Sequence, residues 1–143
     1  DPFEIRVPRF KLKIEAGADF VQTQCIYNMD KFKRFMEEAK KEGLHERTKI
    51  LAGVTPLKSA GMAKFMNRMV AGIEIPEEFI KRIADEPKEK QAAKGIEMCI
   101  EQIQEIKEME GIAGVHVMAI EWEEKLNEIV GGAGLLPRPM VEQ

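Results

Sequence analysis

The sequence predicts an α/β fold in which about three parallel strands are covered by helices. Three short apolar runs alternate with longer segments whose apolar residues recur every three or four positions, the pattern of strands followed by helices. Strands that are each followed by helices pair in parallel through right-handed crossovers. With 143 residues, a formal net charge of −3 and 44% hydrophobic residues, the chain has the balance of one globular domain.

The first helix is predicted over residues 5–16, because apolar side chains recur there at spacings of four, three and four. Gly17 is its expected C-cap, since glycine tolerates the left-handed conformation at that position. An apolar run at residues 18–26 predicts the first strand. Asn28 then caps a second helix over residues 29–42, which carries an apolar stripe on one face.

The second strand is the apolar run at residues 49–55, which ends at Pro56 because proline cannot donate to a strand ladder. Ser59 is expected to cap a third helix that reaches residue 70. We expect four apolar side chains of this helix to face inward: Met62, Met66, Met69 and Val70. A short helix is predicted at residues 77–83.

A long helix at residues 89–109, a third strand at 114–120 and a last helix at 123–130 complete the predicted elements. The strands are almost continuously apolar, which is expected of a sheet covered on both faces. A closed βα barrel needs eight such units and about 250 residues. Three strands therefore form either a small open sheet or the last part of a barrel.

Two glutamines interrupt the apolar character of the first strand. The two-residue period of a strand places Gln22 and Gln24 on one face with Phe20, and buried carboxamides require hydrogen-bond partners. Gln24 lies at the carboxyl end of its strand, the edge where α/β folds bind ligands. It is therefore a candidate ligand-binding residue. The alternative is that both amides bridge neighbouring strands inside the sheet.

The remaining polar residues define few further sites. Thr55 lies at the carboxyl end of the second strand, as Gln24 does in the first. An ordinary strand-to-helix turn explains a threonine at this position equally well. His116 lacks a companion at metal-ligand spacing, and Cys25 and Cys99 form no disulfide or metal framework, so we expect no metal. The acidic charge balance disfavours nucleic acid, and no apolar run approaches a membrane span. We expect a soluble, cytoplasmic protein.

Residues 13–24 read KIEAGADFVQTQ, and this segment resembles the methylenetetrahydrofolate reductase family, which typically has K-x-x-A-G-A-x-x-x-x-T-Q. The likeness continues in the same order along the chain. It includes ILAGVTP at residues 50–56, Ile75-Pro76, GVHV at residues 114–117 and GLLPRP at residues 134–139. The resemblance thus covers nearly the whole chain.

The resemblance implies an FAD-containing (β/α)8 barrel that reduces 5,10-methylenetetrahydrofolate to 5-methyltetrahydrofolate, usually with electrons from NAD(P)H. This chain would supply the sixth, seventh and eighth strands. Gln24 matches the family glutamine that hydrogen-bonds the folate pterin, and Lys13 matches a lysine that contacts the phosphate region of FAD. Arg9, one turn before Lys13, is a second candidate for that contact. No catalytic residue is assigned in this chain, because the family's acidic residues that assist iminium formation belong to the first part of the barrel.

Two positions depart from the family pattern. Ala60 or Gly61 stands where the family often places an aromatic side chain that stacks on the substrate. Trp122 stands where an arginine would pair with the folate glutamate tail. These changes leave the electron donor open and indicate a divergent branch with another donor or a partner subunit. Thr55 and Trp122 are further candidates for the ligand-facing surface.

Because the helical pattern is already established near Asp1, we expect residues 1–143 to be the C-terminal fragment of such a barrel. A missing N-terminal half or a partner subunit would complete the sheet, in a homo-oligomer or a hetero-complex. The fragment alone would then be inactive. The alternative is a non-catalytic partial-barrel subunit, an interaction module that completes its sheet against another chain and thereby covers its open edges.

Overall fold

The computed structural model describes residues 2–140 and contains a three-stranded parallel sheet with helices. The strands are β1 (Phe20–Cys25), β2 (Lys49–Val54) and β3 (Gly114–Val117), in the sheet order β1-β2-β3. The helices are α1 (Arg6–Glu15), α2 (Met29–Lys41), α3 (Leu44–Arg47), α4 (Ala60–Met69), α5 (Glu77–Ala84), α6 (Lys88–Lys107) and α7 (Leu126–Gly132). The predicted α/β class and the three parallel strands are confirmed.

The helix caps follow from local sequence. Gly17 has a φ of +96° directly after α1, as a left-handed C-cap requires. The Asn28 side chain accepts a hydrogen bond from Lys31 N at 3.0 Å at the start of α2. The Ser59 hydroxyl accepts one from Met62 N at 3.1 Å at the start of α4. The two predicted N-caps are therefore confirmed, while the C-cap of α1 is Ala16, one residue before the left-handed Gly17.

Helices α1, α2, α6 and α7 pack against one face of the sheet, whereas α4 and α5 form a second apolar cluster with α6. Ile50, Ala52 and Val54 of β2 are at most 1% exposed and form the main core with apolar residues of α1, α2, α6 and α7. On the opposite face, Phe20 is 58% exposed and Gln22 is exposed as well. Residues 2–140 themselves cover only one of the two faces that the sequence predicts to be covered, and they leave this second face open. We call it the open face of the sheet.

Element boundaries differ from the prediction by up to three residues, and one short helix is not predicted. The third strand ends at Val117 rather than at residue 120, because its partner β2 ends at Val54, which accepts the last bond from Met118 N at 2.8 Å. The last helix begins as a short 3-10 helix at Glu123–Lys125 before α7. The four-residue α3 is not predicted at all, since one turn of helix carries no periodic signal.

Met69 does not face inward as predicted, because its side chain is 61% exposed. The buried residues of α4 are Ala60, Ala63 and Met66. Each three-residue step falls about 60° short of a full turn, so a run of such steps drifts around the helix. After three steps from Ala60, Met69 lies on the opposite side.

Within residues 2–140, none of the helices combines the length and the apolar character that a membrane crossing requires.

Candidate functional site

The carboxyl end of β1 contains an irregularity that sets the position of Gln24. The pairing register between β1 and β2 shifts between Gln22 and Cys25, which is the signature of a β-bulge. The Thr23 hydroxyl accepts a hydrogen bond from Gly53 N at 2.8 Å and donates to Gln24 O at 2.9 Å. Bulges of this kind redirect side chains and are frequent beside active sites.

Gly53 of β2 permits this arrangement because it lacks a side chain. A Cβ at this position would lie 2.5 Å from Thr23 O and 2.8 Å from Gln24 O. Both neighbours are backbone atoms of the bulge and cannot move aside without breaking the β1–β2 pairing. The end of β1 that carries Gln24 can therefore pair with β2 in this way only because residue 53 is a glycine.

The Gln24 side chain is exposed and leaves the sheet. Its Nε2 donates to Ala71 O at 3.3 Å, in the segment that follows α4. The neighbouring Gly72 has a φ of +87°. Among residues 2–140, Gln24 therefore bonds to a connector and does not bridge two strands. Gln22 on the same face is also exposed, because nothing in residues 2–140 covers that face.

Gln24 lines a cavity of about 410 Å³ between the end of β1, the start of α2 and the segment after α4. We call this cavity the Gln24 cleft. Its walls combine amide, thiol, aromatic and charged groups, among them Cys25, Tyr27, Lys31, Gly72 and Glu74. Arg6 contributes a second cation from the start of α1. A cleft with an apolar wall and a few convergent polar groups is the usual form of a small-molecule site.

The carboxylate of the Gln24 cleft is held in its ionised form. Lys31 forms an ion pair with Glu74, and Asn28 Nδ2 donates to it at 2.7 Å. The Lys31 contact, the Asn28 hydrogen bond and the nearby Arg6 lower the pKa of Glu74 from its usual 4.5. The Asn28 side chain therefore both caps α2 and ties α2 to the segment after α4.

A pH dependence of stability follows from Glu74. Because its pKa is lower in the folded state, its contribution to stability is present at neutral pH and is lost as the pH falls below 4.5. The effect is small, since the Lys31 and Glu74 side chains are about half exposed. We expect Glu74→Gln to flatten the decline of the free energy of unfolding as the pH falls below 4.5 in urea titrations. Glu78→Gln in α5 is the control, and equal slopes for both variants would contradict the assignment.

Thr55 lies beneath the Gln24 cleft. It is 1% exposed, and its hydroxyl oxygen is 2.9 Å from Cys25 Sγ. Its carbonyl accepts a hydrogen bond from the Tyr27 hydroxyl at 3.0 Å, and burial raises the pKa of Tyr27. These contacts fasten the loop after β2 to the end of β1. A direct role of Thr55 at the ligand-facing surface stays a prediction.

Lys13 is placed away from the Gln24 cleft. It lines a shallow groove at the amino end of β1, together with Phe20 and Gln22 of the open face. Arg9 is exposed on the same helix, α1. The structure therefore places Gln24 and Lys13 at opposite ends of one strand, while Arg9 lies between Arg6 and Lys13 along α1. We call the second depression the Lys13 groove.

Trp122 is half buried and packs against the main core. The Lys58 ammonium lies 5.5 Å from the centre of its ring and donates to Glu121 O at 2.9 Å. These contacts join the loops that follow β2 and β3. A role of Trp122 in ligand stacking stays a prediction.

His116 is half buried on β3 opposite Gly53. Within the part of the chain that the structure describes, no three His, Cys, Asp or Glu side chains form a group that could hold a metal ion.

The residues that the sequence does not single out are Ala71, Gly72 and Glu74. They lie in a connector without helical or strand periodicity, 47 or more residues after Gln24. Gly72 is itself a sequence signal, because a glycine between a helix and a connector that ends in proline often adopts a left-handed conformation. Its proximity to Gln24 is a property of the fold.

A family model described as methylenetetrahydrofolate reductase matches residues 2–134 of this chain. Methylenetetrahydrofolate reductase 1 of Schizosaccharomyces pombe is 24% identical over 139 residues, which is 95% of this chain and 22% of that protein. Methylenetetrahydrofolate reductase 2 of the same yeast is 28% identical over 139 residues, or 92% of this chain and 21% of the relative.

A protein of Caenorhabditis elegans named probable methylenetetrahydrofolate reductase (NADPH) is 24% identical over 127 residues, which is 87% of this chain and 19% of that protein. The chain thus spans about a fifth of the length of the curated relatives it matches. The match extends across β1, β2 and β3 and includes Gln24. It confirms the resemblance found in the sequence.

Proposed function

The chain belongs to the methylenetetrahydrofolate reductase family, and on that basis we propose that it is part of a flavin-dependent oxidoreductase of one-carbon metabolism. The reaction is the reduction of 5,10-methylenetetrahydrofolate to 5-methyltetrahydrofolate. The observation that carries the proposal is the exposed Gln24 carboxamide in a cavity of about 410 Å³ at the carboxyl end of β1. This is the edge at which parallel α/β folds bind their substrates.

The chemistry of the Gln24 cleft supports a pterin. A pterin ring is flat and carries hydrogen-bond donors and acceptors along one edge, and a carboxamide offers one group of each kind. Tyr27 contributes an aromatic wall, and Lys31 and Arg6 contribute cations to the same cavity. Gln24 would orient the pterin, and correct orientation of the reacting groups contributes several kcal/mol to catalysis.

The family resemblance implies that Lys13 contacts the phosphate-bearing part of FAD, although the Lys13 groove lies at the amino end of β1 and not at the ligand-binding edge. Lys13 is an exposed cation beside the apolar ring of Phe20, and cationic side chains are the usual partners of phosphate. Four residues of strand, or about 13 Å, separate Phe20 from Gln24. We propose that Lys13, with Arg9 as a second candidate, helps to hold FAD, which supplies the hydride that the substrate accepts. The electron donor to the flavin stays open; NAD(P)H is the usual donor of the family.

The open face of the sheet supports a barrel that further polypeptide completes. Helices cover the face with Ile50 and Val54, while Phe20 and Gln22 face outward on the other side. In a (β/α)8 barrel the helices lie outside and this second face lines the interior. We propose that residues 1–143 are the C-terminal part of such a barrel. The polypeptide that completes the barrel belongs to the same protein or to a partner subunit. The alternative is a non-catalytic interaction module, which would apply if no catalytic half of a barrel associates with this chain.

Ligand protection of Cys25 tests the site. Cys25 is half buried and lines the Gln24 cleft, whereas Cys99 is 2% exposed and burial raises its pKa to about 12. Because the thiolate is the reactive form, we expect iodoacetamide to label Cys25 in the native protein and Cys99 only after unfolding. Saturating 5-methyltetrahydrofolate should slow the labelling of Cys25 several-fold, as followed by mass spectrometry of the two peptides.

Two controls sharpen this measurement. Cys99→Ser leaves Cys25 as the one thiol of residues 2–140 and should give the same protected rate. p-Aminobenzoylglutamate, which carries the folate tail without the pterin, should protect Cys25 much less. If 5-methyltetrahydrofolate left the labelling rate unchanged at a concentration that supports turnover, the ligand would not occupy the Gln24 cleft.

A further inference from the structure

The segment after α4 holds the Gln24 carboxamide on two sides. Ala71 O accepts the hydrogen bond from Gln24 Nε2 at 3.3 Å. On the other side, the position that a Cβ of Gly72 would occupy lies 2.8 Å from Gln24 Oε1. Non-bonded Cβ and oxygen atoms essentially never lie this close in proteins, so one of the two groups would have to move. Position 72 therefore excludes every side chain while Gln24 keeps this conformation.

Gly72 is required for a second and independent reason. Its φ of +87° lies in the left-handed region that glycine adopts at no steric cost. This conformation turns the chain between α4 and the connector to α5, and it places Ala71 O against the amide. The backbone conformation at Gly72 thus places the Ala71 carbonyl as the acceptor for Gln24, and the missing side chain leaves room for Gln24 Oε1.

The contact with Ala71 fixes which end of the carboxamide faces which way. A backbone carbonyl accepts hydrogen bonds and cannot donate them, so the nitrogen of Gln24 must face Ala71. The carboxamide then presents Oε1 and its second N–H in one defined orientation. Without the contact, the terminal torsion of a glutamine is broad and roughly two-fold, and donor and acceptor exchange places.

We propose that Gly72 is a positioning residue that sets the orientation in which Gln24 meets the pterin of a folate ligand. The proposal rests on the proposed function, because it concerns the same site. It predicts that position 72 affects ligand affinity through Gln24 and not through the stability of the fold. Gly72 itself need not touch the ligand.

Gly72→Ala and Gly43→Ala form a matched pair for the test. Gly43 also has a positive φ, +67°, but a Cβ there meets no atom within 4 Å. Both variants carry backbone strain, and only Gly72→Ala displaces Gln24. In the full protein, calorimetric titration with 5-methyltetrahydrofolate should show about tenfold weaker binding for Gly72→Ala, the effect of one lost hydrogen bond. Gly43→Ala should bind like the wild type.

A double-mutant cycle with Gln24→Ala separates positioning from general damage. In the Gln24→Ala background, Gly72→Ala should cause little further loss of affinity. An equal loss in both backgrounds would overturn the proposal, as would a Gly72→Ala variant that binds like Gly43→Ala while Gln24→Ala alone binds weakly. If Gln24→Ala itself left the affinity unchanged, the proposed function of this site would fail instead.

A second variant keeps the proposal testable if Gly72→Ala does not fold. Gln24→Asn retains a carboxamide but is one methylene shorter, so it loses the contact with Ala71 while position 72 is untouched. We expect its affinity for 5-methyltetrahydrofolate to fall at least as much as that of Gly72→Ala. Wild-type affinity of Gln24→Asn would show that the Ala71 contact does not position the amide.

Discussion

Gly95→Ala is expected to destabilise the protein by about 3 kcal/mol or more, although glycine to alanine in a helix interior ordinarily stabilises by up to about 1 kcal/mol. Gly95 is buried in α6, and a Cβ there would lie 1.7 Å from Leu57 O and 2.8 Å from Leu57 C. The neighbour is backbone, so a rotamer change cannot relieve the overlap. Either α6 or the loop after β2 must move.

The movement would reach the Gln24 cleft. The loop contains Thr55, whose carbonyl accepts the Tyr27 hydrogen bond and whose hydroxyl contacts Cys25. We therefore expect Gly95→Ala to lower the urea midpoint of unfolding and to raise the labelling rate of Cys25 in the folded protein.

Gly61→Ala is the control for the Gly95 measurement. Gly61 lies in the first turn of α4, and a Cβ there would meet Ser59 Oγ at 3.6 Å, an ordinary contact. Its stability should equal or slightly exceed that of the wild type. Equal midpoints for Gly95→Ala and the wild type would mean that α6 does not approach Leu57 as closely as the structure places it.

The helices and their ends could be predicted because the forces that set them act over a few residues. Asn28 and Ser59 bond to backbone N–H groups three positions later, and Gly17 adopts its conformation directly after α1. Such signals are complete within a short window of sequence. Local signals also predict α4. They do not determine which of its residues face the core, so the sequence predicts Met69 to face inward although it is exposed.

The covered and open faces of the sheet could not be predicted from the same signals. The two-residue period of a strand predicts that Phe20 and Gln22 share a face, but it carries no information on whether other elements pack on that face. Coverage depends on elements distant in sequence and, for this chain, on polypeptide beyond residues 2–140. The sequence therefore leaves two readings of the glutamines open, ligand binding at the strand end and bridging inside the sheet.

The candidate site was predicted in part. The position of Gln24 at a strand end follows from the sequence pattern, and its ligand-binding role stays a prediction. The bond from Gln24 to Ala71 joins residues 47 positions apart, and it depends on how the connector after α4 crosses the end of β1. No local pattern encodes such a crossing, so the residues that hold the amide emerged only from the structure.

Gln24→Ala is expected to weaken the binding of 5-methyltetrahydrofolate between about fivefold and 150-fold, which corresponds to about 1–3 kcal/mol for hydrogen bonds whose loss leaves the pterin unpaired. The free energy of unfolding should change by less than about 0.5 kcal/mol, as is usual for exposed side chains, because Gln24 is exposed and its one side-chain hydrogen bond within residues 2–140 is 3.3 Å long. Calorimetric titration and urea unfolding of the full protein measure the two quantities separately.

Gln22→Ala supplies the matched control for Gln24→Ala. Gln22 has the same side chain, lies on the same exposed face of β1 two residues earlier, and lines the Lys13 groove rather than the Gln24 cleft. A general effect of removing an amide from the open face would appear in both variants. An effect confined to Gln24→Ala would locate the pterin at the carboxyl end of β1. Equal affinities of the two variants, measured with the same FAD occupancy in both, would remove Gln24 from the folate site, since only Gln24 lines the Gln24 cleft.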